Sequence, residues 1–591
     1  MNKERFNKIQ ADYIYFRQSL EPFYQKVRAN NKWADGEPDD VNLKASDNSI
    51  LKVKSGHLFN AIQYKHADFM DNFPHINILP REESDEKEAK VLSDIVPCIL
   101  ENADFKNVYS KNTYVKLKNG CACYGVFWDD DADFGNGDIS VKVVQLDRLA
   151  WQPNITNIQD SRCVFYDYFM EHDEFVRIYG EKESVRTQAE YDKKEDDKYD
   201  DSGNVQVVVT DCYYKTRDAQ GKETLHFIKF SGSEILEESE GKEEYKNGFY
   251  EHGRYPFVMD VLHPATGDIT GIGIIELGKS QQAYIDKLDQ HISEAALYSA
   301  RPRFFVKEGM AGVNRSQFLD LNIPLVEVSA GSLDENVIRR IEPIQIPGFI
   351  SEHRKTKIEE LKEILGNRDF AQGGTSGGVT AASAITALQN SGDKLSRDMI
   401  SQSYTAISDV VLLVIELIRQ NYNEERAFRI TGDDESVKYI RYSNENIKRK
   451  EPGSFSQKAA EFLKTFGIDI GSRTRRNIRF DVTLSVEKNN PYQRGQHNQL
   501  ILTLYQMGLL NPQNAQLGSF IISNLSFDGR DKILEELRAA AEKMQMGSSQ
   551  ESTTNGEELV AVPTQEDASG IFSQGEGPGA GDELVAVPTN S

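Results

Sequence analysis

The order of elements between residues 271 and 422 constrains the fold more than any other feature of this 591-residue chain. Apolar residues three or four positions apart predict a helix over residues 274–300, which Pro302 ends. The same spacing predicts a second helix over residues 349–365, with Gly366 at its C-terminal end. The two helices therefore enclose a short insert.

The insert, residues 301–347, has a pattern that predicts short strands. Apolar runs at residues 304–306, 324–328 and 344–346 are separated by glycine and proline, which favour turns. We expect a small β-containing insert between the two helices.

A glycine-rich loop and a long helix follow. Four glycines in residues 369–378 predict a mobile loop. A phosphate-binding role is disfavoured, because Val379 stands where such a loop needs lysine. Helical spacing then continues over about forty residues, 381–422, without a proline. Either residues 390–392 kink this helix or two helices meet there.

Four short sequences in this region, taken in order, resemble the portal protein of tailed bacteriophages. They are Gly271-Ile272-Gly273, Arg301-Pro302-Arg303, Gly377-Gly378-Val379-Thr380-Ala381 and Asp393-Lys394-Leu395-Ser396-Arg397. The resemblance continues through Phe480-Asp481-Val482 and Asn490-Pro491-Tyr492 and covers about residues 45–545. It implies an α+β, multi-domain phage portal fold with long stem and wing helices. It also implies a ring of about twelve subunits through which double-stranded DNA passes.

Combined with the residue patterns, the resemblance divides the chain into consecutive segments. They are an N-terminal helical arm (1–44), a wing α+β domain (45–268), a first stem helix (269–300), a clip (301–347), a second stem helix (348–365), a tunnel loop (366–379), a long wing helix (380–423), wing β segments (424–488), crown helices (489–546) and a tail (547–591). We expect the aromatic face of the arm to pack on its own subunit. Composition predicts a disordered tail, in which residues 558–564 recur as residues 583–589. The repeat is either a docking peptide for a partner or a neutral duplication.

Several residues are candidates for contact with DNA. The resemblance implies that the tunnel loop projects into the channel, with Phe370, Gln372, Gly373, Gly374, Thr375, Ser376, Gly377 and Gly378 as candidate residues. Candidate basic groups that face DNA are Lys355, Lys357, Lys362 and Arg368. The alternative for these basic residues is ordinary pairing with Glu359, Glu360 and Glu363.

Two further sets of residues concern contacts with proteins. In the clip, the candidates for contact with the packaging motor or the adaptor are Arg301, Arg303, Lys307, Asn314 and Gln317. Arg473, Arg475 and Arg476 belong to the densest basic cluster in the chain. Alternate residues of a strand share a face, so this cluster favours ion pairs with a neighbouring subunit, with phosphate as the second possibility.

The formal net charge of −24 disfavours a protein that grips DNA through a broad basic surface. In a ring, acidic surface would repel a passing duplex instead of trapping it, as conduction requires. The partners implied by the resemblance are double-stranded DNA, other copies of the chain, the terminase large subunit, a head-tail adaptor, and the major capsid and scaffolding proteins. The implied location is the portal vertex of the capsid in the virion, with the host cytoplasm during assembly.

We expect no membrane contact, because the longest strongly apolar run, residues 410–415, is far shorter than the roughly 20 residues of a membrane-spanning helix. No pattern indicates an enzyme or a cofactor. Cys121 and Cys123 would share one face of a strand, but no second pair stands at zinc-ligand spacing, so burial is favoured over metal binding. Acidic residues 129–133 are interpreted as a solvated hairpin tip in preference to a cation site. The alternative function is a non-viral, oligomeric cytoplasmic scaffold or adaptor without catalysis.

Overall fold

The computed structural model describes most of the first 448 residues and a few later ones. The described residues are 3–35, 54–182, 184–187, 206–217, 223–300, 303–306, 338–341, 346–366, 394–431, 437–448 and 478–486, together with Thr503, Gln506 and Met507. Contacts divide the chain into two compact units, residues 1–488 and 489–591. Every element named below belongs to the first unit.

The helices range from 8 to 32 residues. They are α1 (Lys3–Ala34), α2 (His57–Asp71), α3 (Glu86–Asn102), α4 (Phe105–Asn119), α5 (His172–Tyr179), α6 (Ile274–Ala300), α7 (Gly348–Ile364) and α8 (Lys394–Asn421). The strands are β1 (Pro74–Pro80), β2 (Cys121–Asp129), β3 (Asp138–Val144), β4 (Leu149–Trp151), β5 (Cys163–Glu171), β6 (Gln206–Arg217), β7 (Glu223–Ser231), β8 (Glu234–Glu238), β9 (Phe257–Val261), β10 (Arg303–Val306), β11 (Ile338–Ile341), β12 (Arg426–Thr431), β13 (Val437–Tyr442) and β14 (Phe480–Val486).

The strands form antiparallel sheets. The largest has five strands in the order β4-β5-β6-β7-β8. A three-stranded sheet has β2 at its centre, between β3 and β9. The remaining strands form the pairs β1–β14, β10–β11 and β12–β13. Helices packed on antiparallel sheets agree with the predicted α+β class.

The N-terminal helix α1 packs on the five-stranded sheet of its own chain, as its aromatic face predicted. Phe16 is fully buried, and its ring contacts Phe165 on β5 edge to face. The hydroxyl of Tyr13 donates to Oδ2 of Asp167 at 3.0 Å, and that of Tyr24 donates to the carbonyl of Leu149 at 2.9 Å. Buried rings with satisfied hydroxyls fix the helix on the sheet.

Helix α8 lies in the main hydrophobic core, where it packs against β9, β2 and α2. Val410, Val411, Val414 and Ile418 are all fully buried. Its segment Ser396–Asn421 has a mean hydropathy of 1.4 and is long and apolar enough to cross a membrane by length and composition alone. The contacts with strands and helices identify it as a core helix of this fold. A search for uninterrupted apolar runs does not reveal this segment, because Ser, Asp and Glu residues interrupt it.

Most predicted elements lie where the pattern placed them, but α4 is missed. Its buried residues include Asn112, Thr113 and Lys116, so its core-facing side has no clear apolar period. The β2–β3 hairpin, which carries the acidic residues 129–133 at its tip, is confirmed.

Of the strand predicted at residues 344–346, the structure describes only Ile346, which lies outside any strand, and β11 occurs earlier, where Arg339 and Arg340 obscure the apolar pattern. The two described residues that precede β14, Ile478 and Arg479, lie outside that strand. The carbonyl of Ile478 accepts a hydrogen bond from Nη2 of Arg419 at 2.6 Å, instead of joining the ladder. Residues 324–328, 381–393, 455–466 and the tail lie outside the described residues, as do nearly all residues of the predicted crown.

Candidate functional site

The two helices that enclose the insert form an antiparallel pair. Tyr284 and Asp289 of α6 meet the adjacent residues His353 and Arg354 of α7, with 3.2 Å between the Tyr284 hydroxyl and Nε2 of His353. Toward the start of α6, Gly278 lies against Leu361, near the end of α7. Residue numbers therefore rise along one helix as they fall along the other.

A close apolar contact and an ion pair hold this helix pair together. A Cβ atom added at Gly278 would lie 3.1 Å from Cδ1 of Leu361 and 2.4 Å from Cδ2 of Leu58, so glycine lets α6, α7 and α2 approach closely. Arg354 makes a two-pronged contact with Asp289, in which Nη2 donates to Oδ2 at 2.8 Å. Such forked contacts fix orientation as well as distance.

Side chains of α6 also cap the start of α2. Oε1 of Gln282 accepts from the backbone nitrogen of Leu58 at 2.7 Å, and Oδ1 of Asp286 accepts from that of Ser55 at 2.9 Å. Burial lowers the pKa of His57 at this junction, and the charge of Arg354 lowers it further. A neutral imidazole therefore sits between α2 and the α6–α7 pair.

The start of α6 packs closely against the backbone that connects α4 to β2. A Cβ atom at Gly273 would lie 2.4 Å from the carbonyl oxygen of Lys118 and 2.7 Å from the nitrogen of Gly120. Gly271 approaches Gly120 equally closely, and Gly120 itself has a left-handed φ of 88°. The Gly271-Ile272-Gly273 sequence is thus a turn of close backbone packing that leads into a helix.

The insert contains the antiparallel strand pair β10–β11, in which Phe304 pairs with Arg340. This confirms a β-containing insert directly after α6. Of the clip candidates, Arg303 begins β10 but its side chain is not described, and Arg301, Lys307, Asn314 and Gln317 lie outside the described residues.

The basic candidates on α7 occupy different environments. Lys355 is exposed, whereas Lys357 donates to Oε2 of Glu360 at 2.7 Å, one helical turn away. Lys362 is half-buried. Ordinary helix pairing, the alternative considered from the sequence, therefore accounts for Lys357. Arg368 lies outside the described residues.

Two other candidate sets also fall outside the described part of the chain. They are the tunnel-loop residues Phe370, Gln372, Gly373, Gly374, Thr375, Ser376, Gly377 and Gly378, and the arginines Arg473, Arg475 and Arg476. Their assignments stay predictions.

The cysteine pair is structural. Cys121 and Cys123 are fully buried in β2, and burial raises the pKa of the Cys121 thiol to about 12. Among the described residues, no group of three His, Cys, Asp or Glu side chains is placed to hold a metal ion.

Sequence reasoning missed the residues that fasten the helix pair. Gly278, Asp289 and Arg354 carry the contacts between α6 and α7, yet each has an ordinary place in a helical pattern. Gln282, which caps α2, is likewise not distinguished by the helical pattern. The sequence signal that could have indicated this contact is the presence of an acidic residue, Asp289, on the first helix and an arginine, Arg354, on the second.

The comparison with protein families agrees with this geometry. The family model of the phage P22-like portal protein matches residues 70–569, which include α6, the insert, α7, α8 and the acidic hairpin. No curated protein matches the chain. No observation favours the alternative of a non-viral scaffold. Because the match covers most of the sequence, the chain belongs to the P22-like phage portal protein family and is a structural component of the capsid vertex through which phage DNA is packaged.

Proposed function

We propose that about twelve copies of this chain form a ring whose central channel conducts double-stranded DNA during packaging and ejection. The observation that carries the proposal is the antiparallel α6–α7 pair, which the Gly278 contact and the Asp289–Arg354 ion pair hold together and which flanks the β10–β11 strand pair in the sequence. A rigid helical pair with a small β insert is what the stem and clip of a portal require.

The helix pair acts as the stem, and residues 301–347 act as the clip that meets the terminase large subunit and later the head-tail adaptor. The Gly278 contact and the Asp289–Arg354 ion pair support this assignment, because they make two helices move as one rod. Residues 45–268 and 424–488 form the wing, residues 380–423 its long helix, and residues 489–546 the crown.

Weak contact with DNA is the expected electrostatic behaviour of the channel. A chain with a net charge of −24 offers little to hold phosphates, so the duplex passes without being trapped. Lys355, Lys362 and Arg368 are the basic groups proposed to face DNA, and residues 370–378 form the proposed tunnel loop. Lys357 contributes less, since Glu360 neutralises it.

Assembly occurs in the host cytoplasm with the major capsid and scaffolding proteins, in this proposal. The packaging energy comes from the separate terminase motor, because Val379 stands where a nucleotide-binding loop would need lysine. The chain therefore supplies the conduit and the docking surface, without a catalytic step of its own.

The test is packaging in a reconstituted system. Heads are assembled from the capsid and scaffolding proteins of the same phage, with and without the full-length chain, and then supplied with terminase, ATP and DNA. Only heads that contain the chain should protect DNA from nuclease. A matched variant in which a Gly-Ser linker replaces residues 303–341 should enter heads but fail to recruit terminase. Equal DNA protection in heads that lack the chain would contradict the proposal.

A further inference from the structure

Helix α4 is basic in an otherwise acidic chain. Residues 105–128 contain four lysines and no acidic residue, although 93 of the 591 residues of the chain are acidic. One of these lysines, Lys116, is buried and paired with Asp260. The other three are Lys106 and Lys111, which are exposed, and Lys118, which is half-buried. The solvent side of α4 is therefore positively charged, in contrast to the net charge of −24 of the whole chain.

The three solvent-side lysines of α4 have no carboxylate within 4.0 Å among the described residues. Burial lowers the pKa of Lys118, and the charge of Asp35 partly offsets this effect. Lysines elsewhere in the described part of the chain do have such partners, as in the pairs Lys26–Glu276, Lys142–Asp129, Lys229–Glu237 and Lys357–Glu360. The charges on α4 are thus left for a partner outside this fold.

Helix α2 lies beside α4 and extends the surface with uncharged side chains. Nε2 of His66 on α2 is 3.0 Å from Oγ of Ser110 on α4. Half-buried Tyr114 follows on α4, and Nζ of Lys118 is 5.0 Å from the centre of its ring. We define the α2–α4 face by the side chains that line this side of the two helices, namely Asn60, Gln63, His66, Lys106, Ser110, Lys111, Tyr114 and Lys118.

The side chains of the α2–α4 face can all donate hydrogen bonds, and phosphate oxygens accept them. Lysine, serine, asparagine, glutamine and tyrosine are side chains that contact nucleic-acid backbones. A protein partner fits this face less well, because protein–protein interfaces are depleted of lysine and enriched in arginine and large aromatic residues. The lysine ammonium, on its flexible stem, also makes a less rigid contact than the guanidinium fork of arginine. These properties suit a phosphate backbone that moves past the face.

We infer that the α2–α4 face contacts the phosphates of double-stranded DNA. The inference rests on the proposed function and adds a set of DNA contacts outside the α6–α7 pair. Charge complementarity selects the partner, because DNA carries one negative charge per about 1.7 Å of its axis. The stretch of α4 from Lys106 to Lys118 is about 18 Å long, so it can span several phosphates. Few contacts per copy keep the binding weak, and a ring of copies multiplies them.

The salt dependence of DNA binding tests the inference. Fluorescence anisotropy of a labelled duplex of about 40 base pairs, titrated with the full-length chain from about 50 to 200 mM NaCl, gives the slope of log K against log[NaCl]. Each lost phosphate contact reduces this slope by about 0.9. Lys106→Gln combined with Lys111→Gln should therefore reduce it by about 2 and weaken binding at the lowest salt at least about threefold. Both lysines are exposed, so the thermal unfolding midpoint should stay unchanged.

The matched control is Lys87→Gln combined with Lys90→Gln. These lysines are also exposed on a helix, α3, and their replacement changes the net charge by the same amount. The slope should keep its wild-type value in this variant. An equal loss of binding in the two double variants would show that net charge alone is responsible, and would overturn the inference.

Two further outcomes would also contradict it. A wild-type slope in the Lys106→Gln, Lys111→Gln variant would exclude phosphate contacts at this face. Impaired ring formation in that variant, measured by sedimentation velocity, with unchanged DNA binding would assign the face to a neighbouring subunit. Failure of the proposed function is recognised separately, as the absence of rings in electron micrographs of the wild-type chain, because the anisotropy measurement does not require a ring.

Discussion

Nζ of Lys116 lies 2.6 Å from Oδ1 of Asp260, and both side chains are completely buried. The hydroxyl of Ser403 completes the cluster, 3.1 Å from Oδ2 of Asp260. The three residues belong to α4, β9 and α8, so the buried ion pair joins the helix that precedes β2 to β9, and the Ser403 hydroxyl connects the pair to the central helix of the fold. Paired charges of this kind stabilise little by themselves, but the loss of one partner is costly.

Lys116→Met should destabilise the chain by about 3–5 kcal/mol, because it leaves the Asp260 carboxylate buried without its partner. Urea unfolding followed by circular dichroism measures the change. Lys111→Met is the control on the same helix, where the lysine is exposed, and should change stability by less than about 0.5 kcal/mol. Equal midpoints for the two variants would contradict the structural importance of the pair.

Gly273→Ala should destabilise by about 1–3 kcal/mol, since the new methyl group would meet backbone atoms of Lys118 and Gly120 that cannot move aside. The same substitution at Gly348, the first residue of α7, meets no atom within 4 Å and should be neutral or stabilising by up to about 1 kcal/mol. Thermal unfolding of both variants measures these changes in stability. A tolerated alanine at Gly273 would show that the start of α6 is not locked to α4.

Arg354→Lys should weaken the α6–α7 pair by about 1–3 kcal/mol, because an ammonium cannot reproduce the forked contact with Asp289. Amide hydrogen exchange in α7 should accelerate accordingly. Lys355→Ala alters the neighbouring exposed residue and should leave exchange unchanged. If both variants exchange at the wild-type rate, the ion pair does not hold the helices together.

The stability of the chain should fall as pH rises toward about 7, owing to Asp211. Burial raises the pKa of this carboxyl to about 7, and Oδ1 has no hydrogen-bond partner among the described residues. The folded state therefore binds a proton that the unfolded state, with a carboxyl pKa of about 3.9, has already lost, so this contribution disappears as pH rises between those values. Asp211→Asn should flatten the dependence of the unfolding midpoint on pH from 5 to 8. Asp173→Asn, at an exposed site, should leave that dependence unchanged. If the midpoint of Asp211→Asn varies with pH as in the wild type, Asp211 is not the group responsible.

Replacement of Gly373, Gly374, Gly377 and Gly378 by alanine should leave rings intact but impair DNA filling or retention, if flexibility of the tunnel loop is needed. Electron microscopy of the purified variant checks the rings, and nuclease protection in reconstituted heads checks the DNA. Gly348→Ala is again a suitable control. Normal packaging and retention would exclude this role for the loop.

Periodicity predicted the helices on either side of the insert because their apolar residues face a core. Ile358, Leu361 and Leu365 lie on the packed side of α7 as the spacing indicated. Helix α4 was not predicted, because Lys116 and Asn112 face the interior and their burial depends on partners elsewhere in the chain. The same limit applies to the candidate site. Asp289 and Arg354 are 65 positions apart, and sequence spacing does not reveal such a pair.

The family of the chain was predicted from the resemblance and not from periodicity. The order of glycine-containing sequences around Gly271 and Gly377 indicated the portal family, and the match over residues 70–569 confirms it. The left-handed backbone of Asp133 and Phe134 could not be predicted, because only the backbone angles reveal it.

The central claim is that copies of this chain close into a ring around a channel. Electron microscopy of the purified full-length chain, viewed along the symmetry axis and combined with mass determination by light scattering, tests it most directly. We predict closed rings of about twelve subunits with a central opening wide enough for duplex DNA. A chain that stays monomeric or dimeric across protein and salt concentrations, and also when supplied with scaffolding protein, would contradict the account.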